Sequence, residues 1–298
     1  MAFEDVYRVG DKLDVVAGAE VDAVATRLGT RFPDGYREFV TTLGVGDYTN
    51  YVRVYLPSQV VEEMELPDEV QPLWRTHPAE TIERGGDVLP LDRLRTAIVL
   101  SSTVDGDSVV FLPDNPDAIY MIDVNSDSID HIGSNLYQSL DWLTHHSQQN
   151  EILRVRDVSG AFVERDVRYF EPYGDRGDIR FGLQETAATS VRHYLLSVTQ
   201  EDPADVICLS HRYQDDDGIE REWLQLLVQE FQGYVAAYFH SEAQGGVEVV
   251  VTYDIDHQTD KLMRLLAYVD TIATSRGDMT QDPGMPTWDR NTRTWSER

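Results

Sequence analysis

The segment from Val21 to Leu43 most constrains how this chain folds, because its apolar residues follow the spacing of two successive α-helices. Within each run the apolar residues fall at positions i, i+3, i+4 and i+7, as expected for one helix face. These residues are Val21, Val24, Ala25 and Leu28, followed by Tyr36, Phe39, Val40 and Leu43. Pro33 suits the first turn of the second helix, and Gly44 suits the position just past its end. The sequence therefore predicts two amphipathic helices joined by a Phe-Pro corner.

The order Leu-Gly-x-x-Phe-Pro-x-x-Tyr-x-x-Phe-Val, from Leu28 to Val40, resembles the opening of the SUKH superfamily, which includes the fungal Smi/Knr cell-wall regulators. Further segments look like that family's later strands and closing helix. These are Val52 to Ser58, Ala97 to Ser101, Val104 to Phe111, Ala118 to Asp123 and Ile129 to Ile132, then a helix from Asn135 to His145. The family's Asn-Gly-Gly-like turn is replaced here by Leu43 to Gly46. The resemblance covers residues 15 to 145 and implies helices packed around a mainly antiparallel sheet.

A strong turn signal, Asp105-Gly106, lies between two apolar runs. Such a pair favours a two-residue hairpin of type I′, in which both central residues have positive φ. The flanking strands are therefore predicted to be antiparallel neighbours.

The length of 298 residues predicts two domains, since single cores rarely grow past about 250 residues. We predict an α+β fold divided into a SUKH-like domain at 1–147, an irregular connecting segment at 148–184, a second α+β domain at 185–276 and a tail at 277–298. The second domain reads as a helix, a four-strand meander and a helix. In the connecting segment, acidic residues match the arginines that alternate with aromatic residues, which argues against a nucleic-acid surface. The tail contains Trp288 and Trp295, which would allow it to dock onto a domain; a disordered tail is the alternative.

The charge balance favours a basic protein partner. Asp and Glu number 53 against 25 Lys and Arg, giving a formal net charge of −28. This field opposes association with nucleic acid or anionic membrane. A bias shared by the whole proteome explains the charge equally well. The chain has no apolar run of the ~18 residues that a membrane span needs, and its first residues are acidic, so we expect a cytoplasmic protein.

Motifs for chemistry are weak, and we predict no catalytic, cofactor-binding or metal-binding residues. Asp123 to Asp127 imitates the start of a calcium loop, but Ser128 and Ser134 replace the required Gly and Glu, so a hairpin is favoured. Asp254 and Asp256 are placed for a divalent ion or, more simply, for capping a helix. The only cysteine, Cys208, lies in an apolar run and reads as a structural thiol.

The resemblance implies the function, because bacterial SUKH proteins are regarded as immunity proteins that neutralise toxins, often nucleases or deaminases. The expected mechanism is occlusion of a basic toxin cleft by an acidic, aromatic-containing surface. We predict partner contacts on loops of the first domain: Asp47, Tyr48, Tyr51, Trp74, Asp105 and Asp107. Reversing the three aspartates to Lys is expected to weaken binding without unfolding the chain. Trp74 also fits a core anchor, and the acidic run from Glu62 to Glu69 fits either a solvated helix face or a contact surface.

Two other functions stay open from the sequence. A regulatory scaffold resembling the fungal members would bind cellular partners and no toxin. An enzyme would need a site in the second domain, where no family is recognised.

Overall fold

The computed structural model of this chain describes the following residues: 3, 6–10, 12–49, 51–146, 154–156, 162–164, 168–173, 176–183, 187–201, 206–214, 220–239, 246–254, 259–272, 279–281, 288–289 and 294–295. The chain forms two compact units. The first comprises Met1–Tyr7, Lys12–Asn150 and Arg168–Tyr173; the second comprises Arg8–Asp11, Glu151–Val167 and Gly174–Arg298. Both contain helices and an antiparallel sheet, so the predicted α+β class is confirmed.

The first unit is built on an eight-stranded sheet with the strand order β1-β10-β2-β3-β4-β5-β6-β7. Its strands are β1 (Tyr7–Arg8), β2 (Gly46–Tyr48), β3 (Val52–Val54), β4 (Ile98–Thr103), β5 (Ser108–Leu112), β6 (Asn115–Asp123), β7 (Ser128–Gly133) and β10 (Tyr169–Pro172). Its helices are α1 (Gly18–Leu28), α2 (Tyr36–Thr42), α3 (Pro57–Glu65), α4 (Leu73–Thr76), α5 (Pro78–Thr81), a 3-10 helix (Leu91–Thr96) and α6 (Leu136–His146). Every pairing from β10 to β7 is antiparallel.

Both faces of this sheet are buried, which explains why the central strands are continuously apolar in sequence. Successive side chains of a strand point to opposite faces. One face packs against α1, α2, α3 and α6 through Leu100, Val109, Phe111, Ile119 and Met121. The other packs against α4 and the segment up to Ala97 through Val99, Val110, Leu112, Tyr120 and Ile122. Strands buried on both faces lose the alternation that marks a half-exposed strand.

The predicted helix pair is confirmed, and its aromatic residues anchor it to the sheet. Phe32 stacks on Tyr36 with ring centroids 4.2 Å apart, and the Tyr36 hydroxyl donates to the Tyr55 carbonyl at 2.8 Å. Phe39 meets the rings of Tyr48 and Phe170 edge to face. The corner motif is thus a core motif, because its aromatic side chains supply the packing between helices and sheet.

Three local details differ from the sequence prediction. Pro33 precedes α2 instead of opening it, and its carbonyl accepts a bond from the Tyr36 N–H at 3.1 Å. The strand expected up to Ser58 ends at Val54, because Pro57 begins α3. The Asp105-Gly106 hairpin is confirmed, but only Gly106 has positive φ, at 91°, so the turn is not type I′.

We expect the stability of the first unit to fall at alkaline pH partly through Tyr137. Its hydroxyl on α6 donates to the Glu38 carboxylate on α2, and burial together with Glu38 raises the pKa of Tyr137 from 10.0 to about 12. The unfolded chain releases this proton at lower pH than the folded chain, so stability is lost as pH rises between those values. Tyr137→Phe should flatten this decline when the free energy of unfolding is measured by urea denaturation from pH 10 to 12. Equal slopes in both proteins would contradict the assignment.

The second unit contains another eight-stranded sheet, with the order β16-β11-β15-β14-β13-β12-β8-β9. Its strands are β8 (Arg154–Arg156), β9 (Phe162–Glu164), β11 (Arg176–Leu183), β12 (Val206–Gln214), β13 (Glu220–Val228), β14 (Gly233–Phe239), β15 (Val247–Asp254) and β16 (Met279–Gln281). Helices α7 (Ala188–Glu201) and α8 (Asp260–Ile272) pack on one face through a core that includes Leu195 and Leu266. The predicted order of a helix, a four-strand meander and a helix is present as α7, β12 to β15 and α8. The sheet is larger than predicted, because four further strands extend it.

The segment at 148–184 was wrongly predicted to be irregular. It supplies β8, β9 and β11 to the second sheet, and β10 to the first. Part of the expected tail is also ordered: β16 pairs with β11, and β17 (Trp288–Asp289) pairs with β18 (Thr294–Trp295). Strands β8, β9 and β10 have only three or four residues each, which is too few to give a periodic signal in the sequence. Within the described ranges, each helix is too short or too polar to cross a membrane.

Candidate functional site

Three turns meet at one end of the first sheet, because β2, β4 and β6 all run toward that end and their partners run back. The first turn includes Thr49 and Tyr51, and the other two span 104–107 and 124–127. The first two are joined by a hydrogen bond from the Val104 N–H to the Tyr51 carbonyl at 3.0 Å. The antiparallel topology thus brings Tyr51, Asp105 and Asp107 of the predicted contacts into one region.

Asp107 fixes the geometry of the second and third turns. Its Oδ2 accepts from the Thr103 hydroxyl at 2.9 Å, and its Oδ1 accepts from the Val124 N–H at 3.2 Å. The Asp107 N–H donates back to the Thr103 hydroxyl at 3.1 Å. The side chain is buried, and burial raises its pKa above the usual range, although these hydrogen bonds oppose the shift. Asp107 is therefore a buried brace between two hairpins and is not available for a direct partner contact.

The exposed part of this region is apolar with an acidic residue beside it. Val104 is 55% exposed and Val124 is 44% exposed, and Asp105 and Asn125 are also exposed. A Cβ placed on Gly106 would lie 3.8 Å from a Val124 methyl carbon, so the two turns are in van der Waals reach. We call Val104, Asp105, Gly106, Val124 and Asn125 the turn surface. Exposed valines on turns are unusual, since such positions favour Gly, Pro, Asn and Asp.

The aromatic residues predicted as contacts are buried, and they lie on both faces of the first sheet. Tyr48 and Tyr51 are buried in the first unit's core. Burial, followed by the charges of Asp105 and Asp107, raises the pKa of the Tyr51 phenol. Trp74 is buried on the other face of the sheet, and its indole N–H donates to the Ser108 hydroxyl at 3.3 Å. Of the two readings of Trp74, the core anchor is the one the structure supports.

Asp47 on β2 forms a small polar cluster with Arg53 on β3 and Tyr173, which follows β10. Its Oδ1 accepts from Arg53 Nε at 3.2 Å and from the Tyr173 hydroxyl at 2.7 Å. The Arg53 guanidinium carbon also lies 4.8 Å from the centre of the Tyr173 ring. Only 17% of the Asp47 side chain is exposed, so its charge is largely committed to these two partners.

These positions correct the expected set of contacts. Asp105 alone among the six residues is exposed; Tyr48, Tyr51, Trp74 and Asp107 are buried, and Asp47 is mostly covered. Replacement of Asp107 by Lys should unfold the turns, because a buried ammonium, itself a donor, would face the Thr103 hydroxyl and the Val124 N–H, which donate to the carboxylate. Val104 and Val124 were missed as surface residues. Their signal was present in the sequence, as valines directly beside Asp-Gly and Asn-Ser turn residues.

An acidic and apolar stretch follows helix α3 in the same unit. Glu62 and Glu65 are exposed on α3, as expected for a solvated helix face, and Asp68 and Glu69 follow the helix in a turn. Val70 and Leu73 are each 63% exposed beside these acids. The Trp74 bond to Ser108 connects this stretch to the strand that leaves the turn surface.

The two acidic motifs weighed for metal binding have different outcomes. Asp123 accepts hydrogen bonds from the Asn125 and Ser126 N–H groups at 2.9 Å, so it shapes the predicted hairpin between β6 and β7. Asp256 lies outside the described residues, and Asp254 ends β15. Within the part of the chain that the structure describes, no group of three or more His, Cys, Asp or Glu is arranged to hold a metal ion.

Comparisons with protein-family models, with curated proteins and with solved structures found no match to this chain. The resemblance to the SUKH superfamily therefore stays a prediction. The turn surface offers apolar contact area, a neighbouring carboxylate and a rigid frame, which are the elements of a protein-binding site.

Proposed function

We propose that this chain is a cytoplasmic immunity-type protein whose first unit binds and occludes a basic bacterial toxin domain through the turn surface. The SUKH resemblance is the reason for proposing a toxin partner, and the exposed turns support the turn surface as its contact region. The observation that carries the proposal is the pair of exposed valines, Val104 and Val124, held on adjoining turns by the buried Asp107 carboxylate.

Rigid turns favour tight binding because little conformational entropy is lost when the partner docks. Val104 and Val124 provide apolar anchors that are already exposed to solvent in the free protein. Burying such residues under a partner stabilises a complex more than rim contacts do. The turns held by Asp107 keep the two valines in place for binding. Inhibition by occlusion needs no catalytic step in this protein.

Charge would determine how fast the partner arrives and which partner is accepted. The net charge of −28 attracts a basic domain, and Asp105 places one carboxylate beside the anchors. Such steering mainly raises the association rate and weakens as salt screens it. A nuclease or deaminase that binds a polyanionic substrate has a basic cleft of the required sign.

Affinity capture of the full chain from its native cells, followed by mass spectrometry, identifies the partner. Val124→Arg should then weaken binding by about tenfold or more, which corresponds to roughly 1.4 kcal/mol, because it buries an unpaired positive charge against a basic partner. Val15→Arg is the matched control, because Val15 is also 44% exposed but lies beside Gly44, at the opposite end of β2 from the turns. Calorimetry with the purified partner compares the two.

Equal affinities of Val124→Arg and the natural chain would reject the turn surface. A captured housekeeping protein with no toxin encoded beside the gene would instead support the regulatory scaffold. A large secreted toxin encoded immediately upstream would support immunity.

A further inference from the structure

A cleft of about 540 Å³ lies in the first unit, between the turn after α3 and the 3-10 helix. Its lining includes Asp68, Glu69, Arg75, His77 and Arg95. Clefts of ~300 to 1,000 Å³ are typical of small-molecule sites. Neither the sequence motifs nor the proposed toxin contact uses this cleft.

Arg75 places a buried positive charge beside the cleft. Its side chain is 3% exposed and stacks on Trp74, with the guanidinium carbon 5.0 Å from the ring centre. One terminal nitrogen donates to the Ala97 carbonyl at 2.8 Å, whereas Nε has no hydrogen-bond partner. Burial lowers the pKa of Arg75, but arginine stays protonated in proteins. The Glu63 carbonyl also accepts from Arg75, at 3.4 Å, and the charge of Glu63 partly offsets the cation. None of the described carboxylates forms an ion pair with Arg75, and a buried cation is stabilised when an anion approaches it.

Arg95 adds a second cation that is not bound to an acid. Its guanidinium reaches only the Thr76 carbonyl, at 3.4 Å, among the described residues. Most other described arginines of the first unit contact a carboxylate: Arg27, Arg31, Arg37, Arg53, Arg93 and Arg168. In a chain with about twice as many acids as bases, two arginines of one cleft that form no ion pair with described residues are an unusual concentration of positive charge.

The same cleft also holds two acids that form no ion pair with described residues. Asp68 and Glu69 are exposed and contribute carboxylates to the lining. A simple anion would be attracted by the arginines and repelled by these acids. A ligand with both charges satisfies both groups, because its carboxylate meets the arginines while its ammonium meets the acids.

We propose that this cleft binds a small zwitterion, specifically a free α-amino acid. Arg95 and His77 contact the ligand carboxylate directly, and Arg75 attracts it through its field from beneath the surface. Asp68 and Glu69 hold the ammonium group. The remaining volume accommodates the side chain, which sets the preference among amino acids.

The test is calorimetric titration of the intact chain with each of the standard free L-amino acids. The best ligand is then compared with its N-acetyl derivative, which lacks the ammonium, and with its amide, which lacks the carboxylate. Each derivative should bind about tenfold more weakly, the loss expected when one charge-assisted hydrogen bond is removed. Arg95→Gln should reduce the preference for the amino acid over its amide without abolishing it, because His77 and Arg75 remain. Asp68→Asn should likewise reduce the preference for the amino acid over its N-acetyl derivative.

Arg93→Gln is the matched control for Arg95→Gln. Arg93 lies on the same 3-10 helix but contacts Asp114 and does not line the cleft. It should leave the affinity unchanged. The proposal is overturned by three results: no amino acid binds at millimolar concentration, the N-acetyl derivative binds as well as the parent, or Arg93→Gln weakens binding as much as Arg95→Gln.

Discussion

Gly44→Ala should destabilise the first unit by about 4 kcal/mol or more, which is in the exceptional range for a single substitution. Gly44 follows α2 with φ of 77°, a conformation that L-residues with a Cβ adopt at a cost of roughly 1 to 2 kcal/mol. The added Cβ would also lie 2.0 Å from the Asp14 carbonyl oxygen, well inside the contact distance. The loop before α1 must then move, although the Val45 N–H is bonded to that same oxygen at 3.1 Å.

Gly29→Ala provides the control for this prediction. Gly29 also follows a helix with positive φ, of 67°, but nothing lies within 4 Å of a Cβ built there. It should therefore show only the conformational cost, about 1 kcal/mol. Hydrogen–deuterium exchange of peptides from α2, β2 and β3 reports the stability of the first unit separately from the second. Similar losses in both variants would show that the Asp14 contact has no energetic effect.

Asp107→Ala should destabilise the turn region by about 3 kcal/mol, because it removes a charged acceptor and leaves buried donors without partners. The Thr103 hydroxyl and the Val124 N–H lose their acceptor together, so the second and third turns are no longer held to each other. Faster exchange should appear in peptides covering 101–110 and 120–128, and any partner bound through the turn surface should dissociate faster.

Asp105→Ala tests partner binding at the same hairpin without the loss of stability expected for Asp107→Ala. Asp105 is exposed, so its loss should change stability by no more than about 0.5 kcal/mol. It should slow association with a basic partner, most clearly at low salt. If Asp107→Ala leaves exchange at Val124 unchanged, the proposed brace between the hairpins is incorrect.

Elements with strong periodicity could be predicted from the sequence. Helices α1 and α2 follow from apolar spacing, and β4 and β5 follow from β-branched runs around Asp105-Gly106. The apolar spacing does not predict where an individual aromatic side chain packs in the folded unit. Tyr48 and Trp74 read as loop aromatics, and only the tertiary fold decides that one packs under α2 and the other bonds to Ser108.

Asp105 and Asp107 show most clearly that burial cannot be predicted from local sequence alone. Asp105 and Asp107 differ by two positions and have identical chemistry, yet one is exposed and the other is buried. The difference arises because the Asp107 carboxylate reaches a turn 17 residues further along the chain. Such a long-range acceptor leaves no local pattern. The cleft residues were also invisible, since Arg75 and Arg95 are brought together only when α4 packs beside the 3-10 helix.

The position of strand β10 has a consequence for how the protein is made. This strand lies between β1 and β2 in the first sheet, and its Phe170 packs against Phe39. A growing chain that has emerged only to residue 150 therefore has an unpaired β2 edge and lacks one aromatic residue of its core. Unpaired edges invite pairing with other chains. The amino-terminal unit cannot complete its folding on the ribosome until residue 172 has emerged, so the order of synthesis and the order of domain completion are not the same.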